Sequence, residues 1–257
     1  IKPDYIVIAF DVKGRTTRHE EFTDYKATRK PMPDDLSPQI PFIKDIIRGF
    51  SIPVLEKQGT EADDIIGVLS EQASSKGWRT VIVSGDKDLM QLVNENVTMV
   101  DTMKDKTYDI AAVKERFGVA PDKVVEILGL MGDTSDNIPG VPGVGAKTAA
   151  VLLQRFGSID GILGNLDRIE RPGVRESLRQ SEAILQRNRG LVELRRTPPP
   201  DWEGLEALRR RKPDWNLLLE TALRFGFGSM TADIRRRIDE ERNPRLLVFG
   251  EDVGVKG

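Results

Sequence analysis

The chain has 257 residues, of which 39% are hydrophobic and 31% are charged, and its formal net charge is −2. This composition predicts a soluble, globular protein with enough residues for one large domain or two ordinary ones. No apolar run approaches the roughly 18 residues that cross a bilayer, no secretory signal precedes the first apolar run, and the absence of cysteine excludes disulfides. We therefore expect a cytoplasmic protein with no membrane partner.

The first half of the chain alternates short apolar runs with amphipathic stretches. Apolar runs predict strands over residues 5–10, 52–55, 80–83 and 97–100, and helical spacing predicts helices over 40–50 and 61–75. The runs at 5–10 and 80–83 are continuously apolar, which is typical of strands buried on both faces. Alternating strands and helices predict an α/β fold, with a parallel sheet flanked by helices and joined by right-handed crossovers.

Helices dominate from about residue 109 onward. Helical patterns cover residues 109–117, 121–130, 146–156, 174–194, 214–225 and 231–241, and the Pro-rich run at 197–200 predicts a break. We therefore expect an α/β domain over 1–115, a helical domain over 116–230, and a tail or linker over 231–257. Arginines crowd the stretch 168–211, so a near-neutral total is compatible with a basic binding surface.

Carboxylates recur where apolar runs end or helices begin. They form four groups: Asp11; Glu61, Asp63 and Asp64; Asp86 and Asp88; Asp133 and Asp136. In parallel sheets, ligands gather beyond the carboxyl ends of the strands, and converging carboxylates repel one another unless a cation lies between them. Hard oxygen ligands in a chain with no cysteine and one histidine favour magnesium or manganese over zinc.

Each acid group also has a purely structural explanation. Residues 60–63 resemble a capping box with aspartate in place of glutamate, and Asp11 is placed to cap a loop. Asp86 and Asp88 share a face if the chain there is extended, or they are solvated acids of a turn. Only the recurrence of acids at one rim of the sheet favours a functional site.

A glycine-rich turn at 132–149 opens the helix at 146–156. Gly140 and Gly145 have P-loop spacing, but Ala146 stands where the P-loop lysine belongs, and no strand leads into the turn. A dinucleotide-binding fingerprint fails for the same missing strand. The remaining interpretation is a hairpin between two helices that grips a nucleic-acid backbone without reading bases, with a plain helix–turn–helix corner as the structural alternative.

Cations and aromatics alternate shortly after Asp11. Arg18, Lys26, Arg29 and Lys30 are interleaved with aromatic residues, which suits a nucleic-acid surface but equally a solvated, mobile loop. We expect His19 to pack or hydrogen-bond rather than to bind a metal.

Together these motifs resemble a known family. The matching stretches lie at 10–11, 18–29, 61–64, 86–88 and 132–140, and the hairpin follows at the expected distance. In this set and order the chain resembles the 5′-nuclease domain of bacterial DNA polymerase I, a member of the flap-endonuclease family with a PIN-like fold. The resemblance covers roughly residues 1–230 and preserves the order of the motifs.

The resemblance implies a role for each motif. All eight acids named above would hold two or more Mg²⁺ or Mn²⁺ ions, one ion generating hydroxide from water and another stabilising the leaving 3′ oxygen. Lys26 and Arg29 would act at the scissile phosphate, in a helical arch through which the free 5′ strand passes, and Tyr25 would stack on a base. The residues expected to contact DNA are Arg18, Tyr25, Gly140, Gly143, Val144, Gly145, Lys147 and Thr148. Potassium is a further candidate ion at the hairpin.

We therefore expect a structure-selective 5′ nuclease that hydrolyses DNA at 5′ flaps and ends, in nicked or branched duplexes, during replication and repair. Such an enzyme would be nucleoid-associated in the bacterial cytoplasm, with a covalently linked polymerase module as a candidate partner. The resemblance also implies a further strand ending in a metal-binding aspartate, upstream of Asp11 and absent from this chain. The alternatives are a catalytically impaired DNA-binding fragment and a PIN-like ribonuclease. The tail after about residue 231, including 246–249, lies beyond the resemblance.

Overall fold

The computed structural model of the chain describes residues 2–196, 198 and 203–242. The predicted break at 197–200, apart from Pro198, and the segment 246–249 therefore lie outside the described residues. Two compact units divide the chain. The first unit comprises Ile1–Val7, Met32–Val54 and Leu208–Gly257, and the second comprises Ile8–Pro31 and Leu55–Ala207.

The sheets are small and mostly belong to the second unit. The strands are β1 (Ile8–Ala9), β2 (Val54–Leu55), β3 (Thr80–Val83), β4 (Val97–Asp101), β5 (Lys106–Tyr108), β6 (Gly132–Asp133) and β7 (Ile138–Pro139). Strands β3 and β4 pair in parallel, β5 adds to β4 antiparallel, and β6 and β7 form a separate antiparallel hairpin. Strands β1 and β2 also pair, and the Phe10 N–H donates to the Leu55 carbonyl at 2.9 Å. The predicted parallel pairing is thus confirmed for β3 and β4, which cover the apolar runs at 80–83 and 97–100 in full. Strands β1 and β2 are shorter than the runs at 5–10 and 52–55.

α-Helices cover far more of the described chain than strands do. They are α1 (Thr17–Glu21), α2 (Ile40–Gly49), α3 (Ala62–Ser75), α4 (Ile110–Phe117), α5 (Val124–Met131), α6 (Ala146–Phe156), α7 (Ile159–Leu163), α8 (Pro172–Gln180), α9 (Glu182–Val192), α10 (Trp215–Arg224) and α11 (Gly228–Arg242). Local signals set several ends: Asp109 accepts from Ala112 N–H at the start of α4, and Gly118 ends that helix with φ +75°. None of the described helices is long and apolar enough to cross a membrane.

One continuous core lies in the second unit. It joins Met99 and Tyr108 of the sheet to Leu128 of α5, Leu153 of α6 and Leu185 of α9, all of them buried. The first unit has its own small core, in which Leu218 and Ala222 of α10 are fully buried against Ile234 of α11.

Two local predictions were wrong. The stretch 174–194 is not one helix, because the chain breaks at buried Ser181 between α8 and α9. Strand β3 is not buried on both faces, since only Ile82 is buried and Val83 is 65% exposed. Of the two alternatives left open for residues 86–88, the structure has the turn, because a 3-10 helix (Lys87–Leu92) starts there.

Candidate functional site

A hydrogen bond that caps α3 links Asp11 to the start of this helix. Asp11 follows β1, and its Oδ1 accepts the Ala62 N–H of α3 at 2.8 Å. Glu61 is the N-cap residue of that helix and makes no side-chain cap bond, so the predicted capping box at 60–63 is wrong. The cap comes from a distant residue instead, because Asp11 supplies the carboxylate that the first turn of α3 needs.

The acids that follow β3 are arranged by the 3-10 helix. Asp86 is its N-cap residue and accepts the Asp88 N–H at 3.0 Å. Asp88 Oδ1 is buried with no hydrogen-bond partner among the described residues. A buried carboxylate oxygen without a donor costs free energy, so its position indicates a missing cationic or donor partner.

Three carboxylates converge at this point. Asp88, Asp133 and Asp136 each place an oxygen within 4.8 Å of the other two. Asp133 lies in β6 and Asp136 in the turn between β6 and β7, and both are buried. The β6–β7 hairpin thus places Asp133 and Asp136 beside Asp88 of the 3-10 helix, and metal coordination by carboxylates requires such convergence.

Two cationic side chains from the segment after α1 contact Glu61 and Asp136. Lys26 Nζ lies 2.9 Å from Glu61 Oε2 and 3.8 Å from Asp136 Oδ2, and Arg29 pairs with Asp136. Lys26 also donates its N–H to the Asp136 carbonyl and has a positive φ of 57°, an uncommon conformation for lysine. Both predicted catalytic cations therefore lie at the acid site.

Burial and mutual repulsion raise two carboxyl pKa values. Burial, then the charges of Asp86 and Asp11, raise the pKa of Asp63 to about 7. Burial, then the charges of Asp86 and Asp133, raise the pKa of Asp88 to about 8. The charge of Asp86 therefore acts on an acid of α3 and on an acid of the 3-10 helix.

These pKa values predict a pH-dependent stability. Both carboxyl groups bind protons in the folded protein that the unfolded chain releases near pH 4, so their stabilisation is complete below about pH 4 and is lost as pH rises towards about 8. We expect the melting temperature of the chain in EDTA to fall across this range, and excess Mn²⁺ to reverse the fall. A melting temperature in EDTA that rose with pH would contradict the assignment.

Two predicted site residues are internal. Arg18 is 2% exposed and pairs with Asp64, so it offers no surface to DNA in this structure. Burial alone would lower the pKa of Arg18, but the hydrogen bond and charge of Asp64 outweigh it and raise that pKa. Asp64 pairs with Arg18 and is not one of the three converging carboxylates, Asp88, Asp133 and Asp136.

Tyr25 is also buried, with 3% of its surface exposed. Its hydroxyl lies 3.2 Å from Glu61 Oε2 and 3.0 Å from Asp136 Oδ2, and burial followed by these two charges raises its pKa. One phenol proton is thus shared between two carboxylates, and base stacking would require the ring to leave this position. His19 accepts the Thr16 N–H through Nδ1, the hydrogen-bonding role expected for it.

The glycine-rich turn begins α6 and is largely open to solvent. Gly143 has φ +79° and is exposed, as are Gly145 and Lys147, whereas Val144 is 4% exposed and anchors the turn in the core. Thr148 is half-buried one residue further along. Gly140 has a different role, because a Cβ there would overlap the Met131 carbonyl.

The residue patterns missed one contact. Lys87 stands between two predicted ligands, and its Nζ lies 2.7 Å from Asp133 Oδ1. The position of Lys87 between Asp86 and Asp88 in the sequence could have indicated that its side chain lies at the acid site.

The chain is similar to proteins of known families. Residues 1–118 match the 5′-3′ exonuclease N-terminal resolvase-like domain, and residues 119–216 match the 5′-3′ exonuclease C-terminal SAM fold. A 5′-3′ exonuclease of Aquifex aeolicus is 38% identical over 233 residues, which cover 91% of this chain and 79% of that protein. DNA polymerase I of Bacillus caldotenax is 37% identical over 247 residues, which cover 95% of this chain but only 28% of the polymerase.

A solved structure supports the fold. The T5 5′-exonuclease with bound zinc ions superposes with a TM-score of 0.64 at 20% identity, over 91% of this chain and 83% of that one. At this identity the likeness concerns the fold: an α/β layer with a helical region.

Proposed function

Because the chain belongs to the 5′-3′ exonuclease family, we propose that its acid site hydrolyses DNA phosphodiesters near 5′ ends and at 5′ flaps. The observation that carries this proposal is the convergence of Asp88, Asp133 and Asp136 within 4.8 Å, with one buried oxygen of Asp88 lacking a partner. Such a set of hard oxygen ligands suits a divalent cation, and Mg²⁺ is the ion that we propose.

The acids provide one converging set of ligands for a cation and candidate ligands for a second. Asp88, Asp133 and Asp136 would hold one ion. Asp11, Glu61 and Asp63 would hold a second, because Asp11 accepts the N–H of Ala62, which lies between Glu61 and Asp63 in the chain. Asp86 is a candidate ligand of either ion. When bound, the ions supply a coordinated water of lowered pKa and neutralise charge on the phosphate.

The cations of the chain would orient the substrate. Lys26 Nζ contacts acids of both groups, so it stands where a phosphate bound between them would lie. The Arg29 side chain is 47% exposed beside Asp136 and reaches the solvent side of the site. As fixed positive charges, both side chains would stabilise charge that develops on the phosphate oxygens.

The turn before α6 would hold the duplex. Its exposed Gly143, Gly145 and Lys147 surround the first turn of α6, where backbone N–H groups have no partner within the helix. Such a turn binds phosphate oxygens without reading bases, which suits a nuclease selective for structure. Potassium stays a candidate ligand of this turn.

The chain spans between 20% and 28% of the DNA polymerase I relatives that it matches. A linked polymerase, a role in replication and repair, and a place with the bacterial nucleoid are therefore proposals that rest on those relatives.

Cleavage of a labelled 5′-flap DNA tests the proposed function. We expect cutting with Mg²⁺ or Mn²⁺, none with EDTA, and a severe loss in Asp136→Ala, because Asp136 belongs to the converging trio. Asp122→Ala is the matched control, since the side chain of Asp122 is 70% exposed. A matched RNA flap, cut as fast as the DNA flap, would favour a ribonuclease.

A DNA-binding fragment without catalysis is the second candidate. It is favoured by the ion pairs of Lys26, Arg29 and Lys87, which already neutralise part of the acid site. Flap binding equal to that of Asp136→Ala, with no metal-dependent cutting by the parent chain, would establish this candidate instead.

A further inference from the structure

A buried ion pair lies beside the acid site. Arg18 Nη1 and Nη2 lie 2.7 Å from Asp64 Oδ2 and Oδ1, so the guanidinium and the carboxylate form two parallel bonds. Arg18 is 2% exposed and Asp64 is 3% exposed. A bidentate arginine–carboxylate pair is the strongest and most directional of side-chain ion pairs.

The remaining polar atoms of this pair are also satisfied by protein groups. Arg18 Nε and Nη2 donate to the carbonyls of Leu191 and Glu193 at 2.8 Å, where α9 ends. Asp64 Oδ1 also accepts the Arg195 N–H at 2.9 Å. The guanidinium thus fills the carbonyls that a helix C-terminus leaves unpaired, and both Asp64 oxygens already have donors.

The pair connects to the acid site through Glu61. Arg18 Nη1 also lies 3.3 Å from Glu61 Oε2. Glu61 is the N-cap residue of α3 and Asp64 lies in its first turn, so one guanidinium contacts two of the three carboxylates at the start of this helix. Gln91 of the 3-10 helix also binds the end of α9: its Nε2 donates to the Val192 carbonyl, and its Oε1 accepts the Leu194 N–H.

We propose that Arg18 and Asp64 are positioning residues that orient Glu61 towards the metal site, and that Asp64 is not itself a metal ligand. The inference follows from a contrast with Asp88. One buried oxygen of Asp88 has no hydrogen-bond donor, whereas both oxygens of Asp64 already accept hydrogen bonds. The inference rests on the proposed function, since it concerns the same cation site.

Direct metal binding tests the pair separately from catalysis. Mn²⁺ affinity would be measured by titration calorimetry for Asp64→Asn, Arg18→Lys and the double variant, at a temperature where circular dichroism shows each to be folded. We expect each single variant to bind Mn²⁺ about 10-fold more weakly, as loss of an outer partner of a metal ligand does. We expect the double variant to be no weaker than the worse single one, because the two residues act as a unit. On a flap substrate, kcat should fall while KM for DNA stays unchanged.

The sign of the arginine effect decides between the two roles. If Asp64 were a ligand, Arg18→Lys would loosen a competing partner and leave Mn²⁺ binding unchanged or tighter, which would overturn the inference. Asp88→Asn is the control for the site as a whole. If Asp88→Asn left Mn²⁺ binding intact, the proposed metal site would itself be wrong. If only the Arg18 and Asp64 variants bound normally, the positioning role alone would fail. Arg18→Lys retains the charge, so it serves if Asp64→Asn does not fold.

Discussion

Asp88→Asn is expected to abolish metal-dependent cleavage and at the same time to stabilise the metal-free protein near pH 8. Asn has the shape of aspartate without its charge, and burial with neighbouring carboxylates raises the pKa of Asp88 to about 8. Removing the charge therefore relieves repulsion in the metal-free state, and about 1 kcal/mol would raise the melting temperature by a few degrees. Loss of a direct ligand should lower cleavage by more than about 100-fold, the upper end for outer partners of metal ligands.

The two effects are measured on the same preparation. Melting temperature in EDTA and flap cleavage in Mg²⁺ would be compared for the parent, Asp88→Asn and the exposed-site control Asp122→Asn. A variant that lost activity and also lost stability in EDTA would indicate a packing role for Asp88. Stability gained near pH 8 and absent near pH 4 identifies the carboxyl charge as the cause.

Gly140→Ala is expected to destabilise the second unit and to remove DNA binding by the turn before α6. An added Cβ would overlap the Met131 carbonyl and approach the Gly132 amide nitrogen to 2.7 Å, and both are backbone atoms that cannot rotate away. We expect a loss of about 3 kcal/mol in the free energy of unfolding, the upper end for overpacking. Denaturant unfolding and flap binding would measure the two consequences.

Gly190→Ala is the matched control for this change. Gly190 lies inside α9, and a Cβ there meets nothing within 4 Å. This substitution should stabilise the protein by about 0.5–1 kcal/mol, because alanine has the higher helix propensity. Equal effects of the two substitutions would show that backbone contact at Gly140 is not the cause.

Much of the fold follows from local patterns. The periodicity over 146–156 matches α6 residue for residue, and Asp109 and Gly118 mark the two ends of α4 as capping rules expect. The strand at 80–83 was placed correctly, but its burial was not, since Val83 is 65% exposed. The sequence pattern shows which residues of a strand are apolar, whereas their burial depends on which other elements pack against each face of the strand.

The candidate site shows the same division. Clustered carboxylates, the cations at Lys26 and Arg29 and the glycine-rich turn were visible in the sequence, because their residue types suffice to suggest metal and phosphate chemistry. The partners of each carboxylate were not visible. Glu61, Asp63 and Asp64 are close in sequence, yet Asp64 pairs with Arg18 and Glu61 pairs with Lys26. Burial, followed by the charge of Asp86, raises the pKa of Asp63.

The sequence by itself determined the kinds of groups present: hard oxygen ligands, basic side chains and a turn suited to phosphate. The tertiary structure decided their pairing, which brings Asp88 to Asp133 and Asp136 across 45 and 48 residues of chain, and Arg18 to Asp64 across 46. Pairing depends on which surfaces the core brings together, and distances in space are not encoded by spacing along a chain that folds back on itself. Surroundings then set the behaviour of each acid, since the Asp64 carboxylate pairs with Arg18 whereas burial and neighbouring acids raise the pKa of Asp88.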